Sequence, residues 1–180
     1  MDVSKPLIIQ FTGLSGSGKT TLANAVKELL IYHLIKVEIL DGDEFRKTIA
    51  VDLGYSKQDR LENIKRMGLV AAESNSQVII ISAINPYNEG RHWMLHNFAA
   101  PLIWVSCSLN KLMERDTKGL YRRALLPDRD PQKLNNLTGL GDPFEIPEKY
   151  DLIINTETAS IEACSQLIVS FILDQLKIRN

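Results

Sequence analysis

The sequence predicts an α/β fold, a three-layer sandwich around a mostly parallel sheet of about five strands with one lid segment. Two observations carry this prediction. Short apolar runs rich in Ile and Val alternate with longer amphipathic stretches along the chain. The first apolar run leads directly into a glycine-rich loop and then a helical pattern, as in folds that bind ligands at the carboxyl ends of their strands.

Each predicted strand is short and apolar on both faces, which is typical of a parallel strand covered by helices. The runs span residues 7–13, 36–42, 77–83, 101–107 and 150–155.

Three longer segments carry helical periodicity. Residues 20–34 repeat apolar side chains at helical spacing. Residues 56–74 open with Ser56 and Asp59, which are spaced as a capping box. Residues 159–176 form the last pattern, with Ser160 as the expected N-cap and an apolar face of Ile161, Cys164, Ile168 and Phe171.

Residues 124–149, here called the lid segment, break the alternation, hold most of the prolines and show little periodicity. A loop of this length in a compact domain is usually a lid over an active site and less often disordered. The chain of 180 residues is 44% hydrophobic, and we expect residues 1–180 to form a single domain.

The composition bears on partners and location. A formal net charge of -1 argues against a nucleic-acid binder, and no apolar run is long enough to cross a membrane. Without a recognisable N-terminal signal, the expected location is the cytoplasm. Cys107 and Cys164 have neither metal-ligand nor disulfide-framework spacing and are expected to be buried.

The loop after the first strand satisfies the G-x-x-x-x-G-K-[ST] pattern of a P-loop, so the fold is expected to be of the P-loop NTPase type. In this pattern backbone N–H groups surround the phosphates, Lys19 bridges the β- and γ-phosphates, and Thr20 ligates Mg²⁺. The expected ATP-binding residues of the loop are Gly13, Leu14, Ser15, Gly16, Ser17, Gly18, Lys19, Thr20 and Thr21.

A P-loop serves switches, motors and kinases alike. A GTPase requires a base-reading Asn-Lys-x-Asp, which the chain does not show at Asn110. A motor ATPase is normally larger. The small size and the lid segment favour a small-molecule kinase, which must exclude water from the transferring phosphoryl group.

Candidate residues for the phosphate acceptor follow the other strands. Asp41 and Asp43 end the second strand, where a carboxylate can orient a hydroxyl, take its proton or hold a magnesium-bound water. Arg46 follows one helical turn later. Arg60 and Asn63 share a helix face that suits an anion beside a nucleobase, although by itself such a pair is more often a solvated helix face.

Two further segments complete the candidates. Pro86 restricts the end of the third strand and exposes Asn85 at its tip. A basic stretch before the lid segment is either a clamp for the transferring phosphoryl group or a charged helix end. Its members are Arg115, Lys118, Arg122 and Arg123.

Four segments together resemble the adenylylsulfate kinases, which phosphorylate the 3′-hydroxyl of adenosine 5′-phosphosulfate (APS) to give PAPS. They are GLSGSGKTT, LDGDEFR, GYSKQDRLENIKR and RDTKGLYRRA, in the family's order and at about its spacing. The resemblance covers about residues 7–156. It implies an ATP- and Mg²⁺-dependent kinase and a homodimer.

The resemblance also implies roles for matching positions. Asp43 is expected at the acceptor hydroxyl with support from Asp41, and Lys118 near both ligands. Arg115 is expected against the ATP adenine. The remaining residues expected at the acceptor are Arg46, Tyr55 in place of a family phenylalanine, Arg60, Asn63, Ile84, Asn85 and Leu137.

Besides Tyr55, the chain departs from the family pattern at three positions. Asn85 replaces a serine and has no hydroxyl to carry a phosphoester, so transfer is expected to be direct and in line. Asn88 replaces an arginine. Leu137 replaces a phenylalanine expected to stack on the acceptor adenine.

The sequence therefore predicts an adenylylsulfate kinase and leaves three alternatives open. One is a kinase for another 5′-modified nucleotide, which the three departures favour. The others are a non-catalytic ATP-binding module and a GTP-driven switch.

Overall fold

A five-stranded parallel sheet forms the centre of the computed structural model, which describes residues 5–179. The two ends of the expected domain, residues 1–4 and 180, lie outside this range. The strands are β1 (Leu7–Thr12), β2 (Val37–Asp41), β3 (Val78–Ser82), β4 (Leu102–Ser106) and β5 (Leu152–Asn155).

The strand order is β2-β3-β1-β4-β5, so the chain moves from β1 to one side of the sheet and later to the other. Every strand pair is parallel, with Leu7 in register with Val78 and Gln10 with Leu102. Ligands of such sheets bind beyond the carboxyl ends of the strands where the order reverses. Here that point is the carboxyl end of β1, which leads into the glycine-rich loop.

Helices cover both faces of the sheet. They are α1 (Lys19–Tyr32), α2 (Gly42–Thr48), α3 (Lys57–Ala72), α4 (Asn88–Phe98), α5 (Leu109–Arg115), α6 (Leu120–Ala124) and α7 (Ile161–Arg179).

Alternate residues of β1 divide the core between the two faces. Leu7, Ile9 and Phe11 pack with α1 and α7 in one cluster, while Ile8 packs with α2, α3 and α4 in another. All four side chains are no more than 2% exposed. This arrangement confirms the predicted three-layer sandwich.

The five predicted strands are confirmed, each a residue or two shorter than its apolar run. The capping box at the start of α3 is present in both directions, and the Ser160 hydroxyl accepts a hydrogen bond from the Ala163 amide at 3.2 Å. The apolar face of α7 was predicted wrongly at its first member, because Ile161 is 51% exposed. The helices α2, α5 and α6 span 7, 7 and 5 residues, too few to show helical periodicity in the sequence.

The lid segment contains no helix or strand after α6 ends at Ala124, and its one bridge joins Thr138 to Asp142. It packs on the protein through Leu137, which is buried with Leu112 and Tyr121.

Cys164 is buried as expected, whereas Cys107 is only partly covered. Among residues 5–179, none of the helices is long and apolar enough to cross a membrane.

Candidate active site

A cleft of about 490 Å³ opens at the carboxyl ends of β1, β2 and β3. It is lined by the glycine-rich loop, the start of α2, one face of α3 and the start of α7. Most of the predicted site residues line it: Ser15, Gly16, Ser17, Gly18, Lys19, Thr20, Thr21, Asp41, Asp43, Arg46, Tyr55, Arg60, Asn63, Ile84, Asn85, Arg115 and Lys118.

Two glycines give the loop its shape. A side chain at Gly13 would collide with the Val105 carbonyl oxygen, so the loop can approach β4 only without a Cβ. Gly18 precedes α1 with φ of 94°, in the left-handed region that favours glycine. The loop therefore turns sharply into α1, whose N-terminal N–H groups face the cleft and suit an anion.

Lys19 is the first residue of α1 and is 9% exposed. Its ammonium group donates to the Gly13 carbonyl at 2.9 Å and to the Leu14 carbonyl at 2.8 Å. Burial lowers the pKa of Lys19 to about 8; the charge of Lys118 adds to this, and those of Asp43 and Asp41 oppose it. A polyphosphate in the cleft would supply the negative charge that favours the protonated form.

Thr20 and Asp41 form a pair of oxygen ligands beside the loop. The Thr20 hydroxyl donates to Asp41 Oδ2 at 2.6 Å, while Asp41 Oδ1 accepts from the Asp43 amide at 2.9 Å and caps α2. No cluster of three His, Cys, Asp or Glu side chains that could hold a metal occurs within residues 5–179. One hydroxyl and one carboxylate fit Mg²⁺, which is usually held by few protein ligands together with substrate phosphates and water.

Asp43 lies at the start of α2 and accepts a hydrogen bond from Lys118 at 2.6 Å. Burial tends to raise the pKa of Asp43, but the hydrogen bond and charge of Lys118, with the charges of Lys19 and Lys47, outweigh it and hold the pKa below its usual value. At neutral pH the group is therefore a carboxylate, able to orient a hydroxyl and to accept its proton as negative charge leaves it.

Arg46 and Tyr55 form one wall of the cleft. The Arg46 guanidinium donates to the Gly54 carbonyl at 2.7 Å and lies 4.8 Å from the centre of the Tyr55 ring. The Arg60 guanidinium lies 5.5 Å from the same ring centre, and the ring is 53% exposed, so part of this aromatic surface is open to the cleft.

Arg60 and Asn63 project from α3. Arg60 Nη2 donates to Asp142 Oδ2 at 2.7 Å and to the Asn136 carbonyl at 2.9 Å, so this arginine joins the cleft to the lid segment. Within residues 5–179 the buried carbonyl oxygen of the Asn63 side chain has no hydrogen-bond partner. A buried acceptor of this kind suits a ligand that brings a donor.

Asn85 occupies the tip of β3 with φ of 39°. Its backbone and that of Ile84 accept hydrogen bonds from the Thr12 hydroxyl at 3.1 and 2.7 Å. Its side-chain amide donates to Gln10 Oε1 at 3.2 Å, in the interior. Asn85 therefore shapes the edge of the cleft, and its side chain is engaged by β1.

Some predicted residues do not line the cleft. Gly13 and Leu14 belong to the glycine-rich loop but are not part of the cleft lining. Leu137 is only 5% exposed and packs in the cluster around Tyr121. In this arrangement Leu137 packs the lid segment on the protein, and its contact with an acceptor base stays a prediction. Arg122 and Arg123 are also outside the cleft lining.

Arg115 lies at the mouth of the cleft and donates to the Thr156 carbonyl at 2.6 Å. The Thr156 hydroxyl in turn donates to the Ser17 carbonyl at 2.9 Å. Arg115 and Thr156 thus fix the glycine-rich loop against the end of β5.

Sequence reasoning missed several residues of the site. Thr156, Ser160 and Cys164 line the cleft because α7 begins beside it, and the position of Thr156 after a predicted strand was the available signal. The Tyr121 hydroxyl donates to the Ser15 carbonyl at 2.7 Å. Burial raises the pKa of Tyr121 to about 12, so it remains a donor at neutral pH.

Comparison with known proteins agrees with this geometry. The family model described as adenylylsulphate kinase matches residues 5–155. An adenylyl-sulfate kinase of Geotalea daltonii is 39% identical over 176 residues, which is 95% of this chain and 84% of the relative. An adenylyl-sulfate kinase of Deinococcus deserti is 40% identical over 158 residues, covering 86% of this chain and 84% of the relative.

A solved structure shows the same architecture. The APS kinase of Mycobacterium tuberculosis in complex with AMPPNP and APS superposes with a TM-score of 0.84 and 29% identity, covering 93% of this chain and 98% of that one. The matched segment contains the glycine-rich loop, Asp43, Arg60 and Lys118, which the structure brings to one cleft. The chain therefore belongs to the adenylylsulphate kinase family.

Proposed function

We propose that this protein transfers the γ-phosphoryl group of ATP to the 3′-hydroxyl of adenosine 5′-phosphosulfate, giving PAPS and ADP. The observation that carries the proposal is the position of Asp43. Its carboxylate lies in the same cleft as the phosphate-binding loop and is paired with Lys118 at 2.6 Å. Family membership supplies the identity of the acceptor.

The donor half would bind the triphosphate of ATP through the loop amides and the N-terminus of α1. Lys19 would leave the Gly13 and Leu14 carbonyls and bridge the β- and γ-phosphates. Arg115, at the cleft mouth, would lie against the adenine. These interactions would hold the γ-phosphorus in line with the acceptor hydroxyl, and such positioning is a main source of rate enhancement in phosphoryl transfer.

Thr20 and Asp41 would hold Mg²⁺, the first directly and the second directly or through water. When bound, the ion would neutralise charge on the β- and γ-phosphates. The hydrogen bond between the two side chains keeps both oxygens beside the loop.

The acceptor half would place the 3′-hydroxyl of APS against Asp43. Proton transfer to a carboxylate with a lowered pKa is expected late, after the bond to the leaving oxygen has weakened, as the loose transition state of phosphoryl transfer allows. Lys118 would then stabilise the charge on the transferring group. Arg46, Arg60 and Asn63 would bind the phosphosulfate and adenylate.

Transfer would pass directly from ATP to the acceptor. Asn85 has no hydroxyl, and its amide is bonded to Gln10 inside the protein. A phosphoenzyme at this position is therefore chemically impossible.

The three departures from the family pattern also bear on the choice of acceptor. Asn88 and Leu137 do not line the cleft, and the Asn85 side chain points to β1. Two of the three departures thus lie outside the cleft lining, and the third has its side-chain amide bonded to Gln10, so they give little support to the alternative of another 5′-modified nucleotide.

The proposal extends to the domain, the oligomeric state and the location of the protein. Residues 1–180 form one kinase domain with residues 124–149 as its lid. The protein is a homodimer, which static light scattering on the purified protein would test. It acts in the cytoplasm.

The test of the proposed function is a steady-state assay of ADP release with Mg-ATP and micromolar APS, beside a panel of other 5′-modified nucleotides and with GTP as an alternative donor. Saturating, APS-dependent turnover with PAPS as the product is expected. ATP binding with turnover of a different nucleotide would contradict the acceptor. ATP binding without any turnover would leave a non-catalytic module.

A further inference from the structure

The end of the lid segment is fastened to the start of α4 by three hydrogen bonds. Glu145 Oε2 accepts from the Asn88 amide at 2.6 Å, and the Glu145 amide donates to the Pro86 carbonyl at 2.9 Å. The Asn88 side chain donates to the Ile146 carbonyl at 3.4 Å. These contacts join residues almost sixty positions apart in the chain, 57 for the first of them.

The N-terminus of α4 receives a capping carboxylate from Glu145, which lies outside the helix. Its own N-cap residue, Tyr87, makes no side-chain capping bond. The first amides of a helix lack partners within the helix, and a carboxylate there is favoured by the helix dipole. Glu145 fills this role from the lid segment.

A buried arginine strengthens the same junction. Arg91 is 2% exposed; its Nη1 donates to Asn88 Oδ1 at 2.8 Å, and its guanidinium lies 5.0 Å from the centre of the Phe144 ring. Burial lowers the pKa of Arg91 to about 10, and the nearby charge of Glu145 opposes that change. The carboxylate of Glu145 therefore lies near a buried cation whose own hydrogen bonds go to Asn88 and to the Asn85 carbonyl.

Arg91 extends the junction to the cleft. Its Nε donates to the Asn85 carbonyl at 3.0 Å, and Asn85 forms the tip of β3 that lines the cleft. On the other side, the lid segment reaches the cleft through the bonds of Asn136 and Asp142 to Arg60. These hydrogen bonds therefore link the end of β3 to α4, α4 to the lid segment, and the lid segment to Arg60.

We infer that Glu145 is a positioning residue for the acceptor: by capping α4 at the Asn88 amide and bonding to the Pro86 carbonyl, it holds the lid segment and the β3 tip where Arg60 and Asn85 can shape the acceptor site. The inference rests on the proposed function. Asn88, which departs from the family pattern, belongs to this junction, since it contacts both Arg91 and Ile146.

The test compares Glu145→Ala and Glu145→Gln with the unaltered protein in the ADP-release assay. We expect KM for APS to rise about tenfold in Glu145→Ala, the size typical of losing a hydrogen bond to a charged group. Glu145→Gln keeps an acceptor oxygen and loses the charge, so a smaller rise is expected. KM for ATP and kcat should stay within about twofold, because the donor half has its own contacts.

A matched control is Glu148→Ala, which removes an exposed glutamate three positions further along the lid segment. It should leave both KM values unchanged. Glu145 would be merely structural if Glu145→Ala lowered kcat and raised both KM values together in step with a lower melting temperature. An unchanged KM for APS in Glu145→Ala would overturn the inference outright.

Hydrogen exchange separates this inference from the proposed function. Amides of residues 87–91 should exchange faster in Glu145→Ala and not in Glu148→Ala, whatever the acceptor is. If the unaltered protein turned over another nucleotide in place of APS, the proposed function would fail, and the KM comparison would be made with that nucleotide. Unchanged exchange at residues 87–91 would remove the capping role and the inference with it.

Discussion

The two halves of the cleft are built in different ways. In the donor half Lys19 bonds to carbonyls 6 and 5 positions before it, within one loop and one helix start. In the acceptor half Asp43 and Lys118 are 75 positions apart, and Arg60 and Asp142 are 82 apart. The phosphate-binding part of the donor site is a property of a short segment, whereas the acceptor site exists only when four separate parts of the chain meet.

The two halves of the cleft also differ in how exposed their charged side chains are. Lys19 is 9% exposed, while the side chains of Lys118 and Asp43 are 51% and 64% exposed. An ion pair this open to water contributes little to stability. The Asp43–Lys118 pair can therefore open for an acceptor at small cost, and the buried Lys19 is held ready for the donor phosphates.

The largest expected effect is in the donor half. Lys19→Ala should lower kcat by about a thousandfold or more, because it removes the cation that stabilises charge on the transferring group. Steady-state ADP release with saturating APS would measure it. Lys27→Ala, on the same helix and outside the cleft lining, is the control and should be fully active. Near-normal turnover in Lys19→Ala would remove the proposed mechanism.

The second effect tests whether Asp43 belongs to the acceptor half. Asp43→Asn should lower kcat by about a hundredfold or more while the Kd for ATP changes little, because the carboxylate serves the acceptor hydroxyl. Single-turnover kinetics and nucleotide titration give the two values.

The exposed neighbour Glu44 provides the matched control for Asp43, as Glu44→Gln, and should not change kcat. Weaker ATP binding with kcat preserved would place Asp43 in the donor half and make its assignment wrong.

A smaller effect is expected from pH. The pKa of Lys19 is lowered to about 8, so the free protein loses this charge above that pH, and a bound polyphosphate restores it. ATP binding should therefore take up a proton, and its Kd should rise by at most about tenfold per pH unit above pH 8. Calorimetric titrations in two buffers of different ionisation enthalpy would measure the proton uptake.

The lowered pKa of Lys19 also makes the stability of the fold depend on pH. Unfolding returns the Lys19 pKa from about 8 to 10.5, so the chain takes up a proton between these values, and Lys19 makes the fold more stable as pH rises through that window. Lys19→Arg does not titrate in this range and should remove both effects. A Kd for ATP that is flat between pH 7 and 9.5 would contradict the lowered pKa.

The smallest expected effect comes from changing the capping box that starts α3. Ser56→Ala should reduce the free energy of unfolding by about 1 kcal/mol, since it removes the hydrogen bond that the Asp59 amide donates to the Ser56 hydroxyl. Denaturant unfolding would measure it, with Ser56→Thr keeping the cap as the control. The kcat should stay within about twofold, because Arg60 is also held by its bonds to the lid segment. A large loss of kcat would show that the acceptor half depends on this one cap.

The sequence by itself determined the parts whose geometry is local. The glycines of the loop, the apolar runs of β1 to β5 and the capping box of α3 are set by backbone sterics, side-chain periodicity and bonds between near neighbours. The loop, its helix and the position of Asp41 at the end of β2 were therefore predictable, whereas Asp43, predicted at the strand end, lies in the first turn of α2.

Only the tertiary structure decided which distant side chains meet. It turned the Asn85 amide toward Gln10, buried Leu137 beside Tyr121, joined Arg60 to Asp142 and placed Glu145 at the start of α4. Nothing in the local sequence around these residues encodes their partners, because each contact depends on the packing of segments separated by tens of residues. For that reason the donor site could be read in the sequence, whereas the contacts that complete the acceptor site required the folded chain.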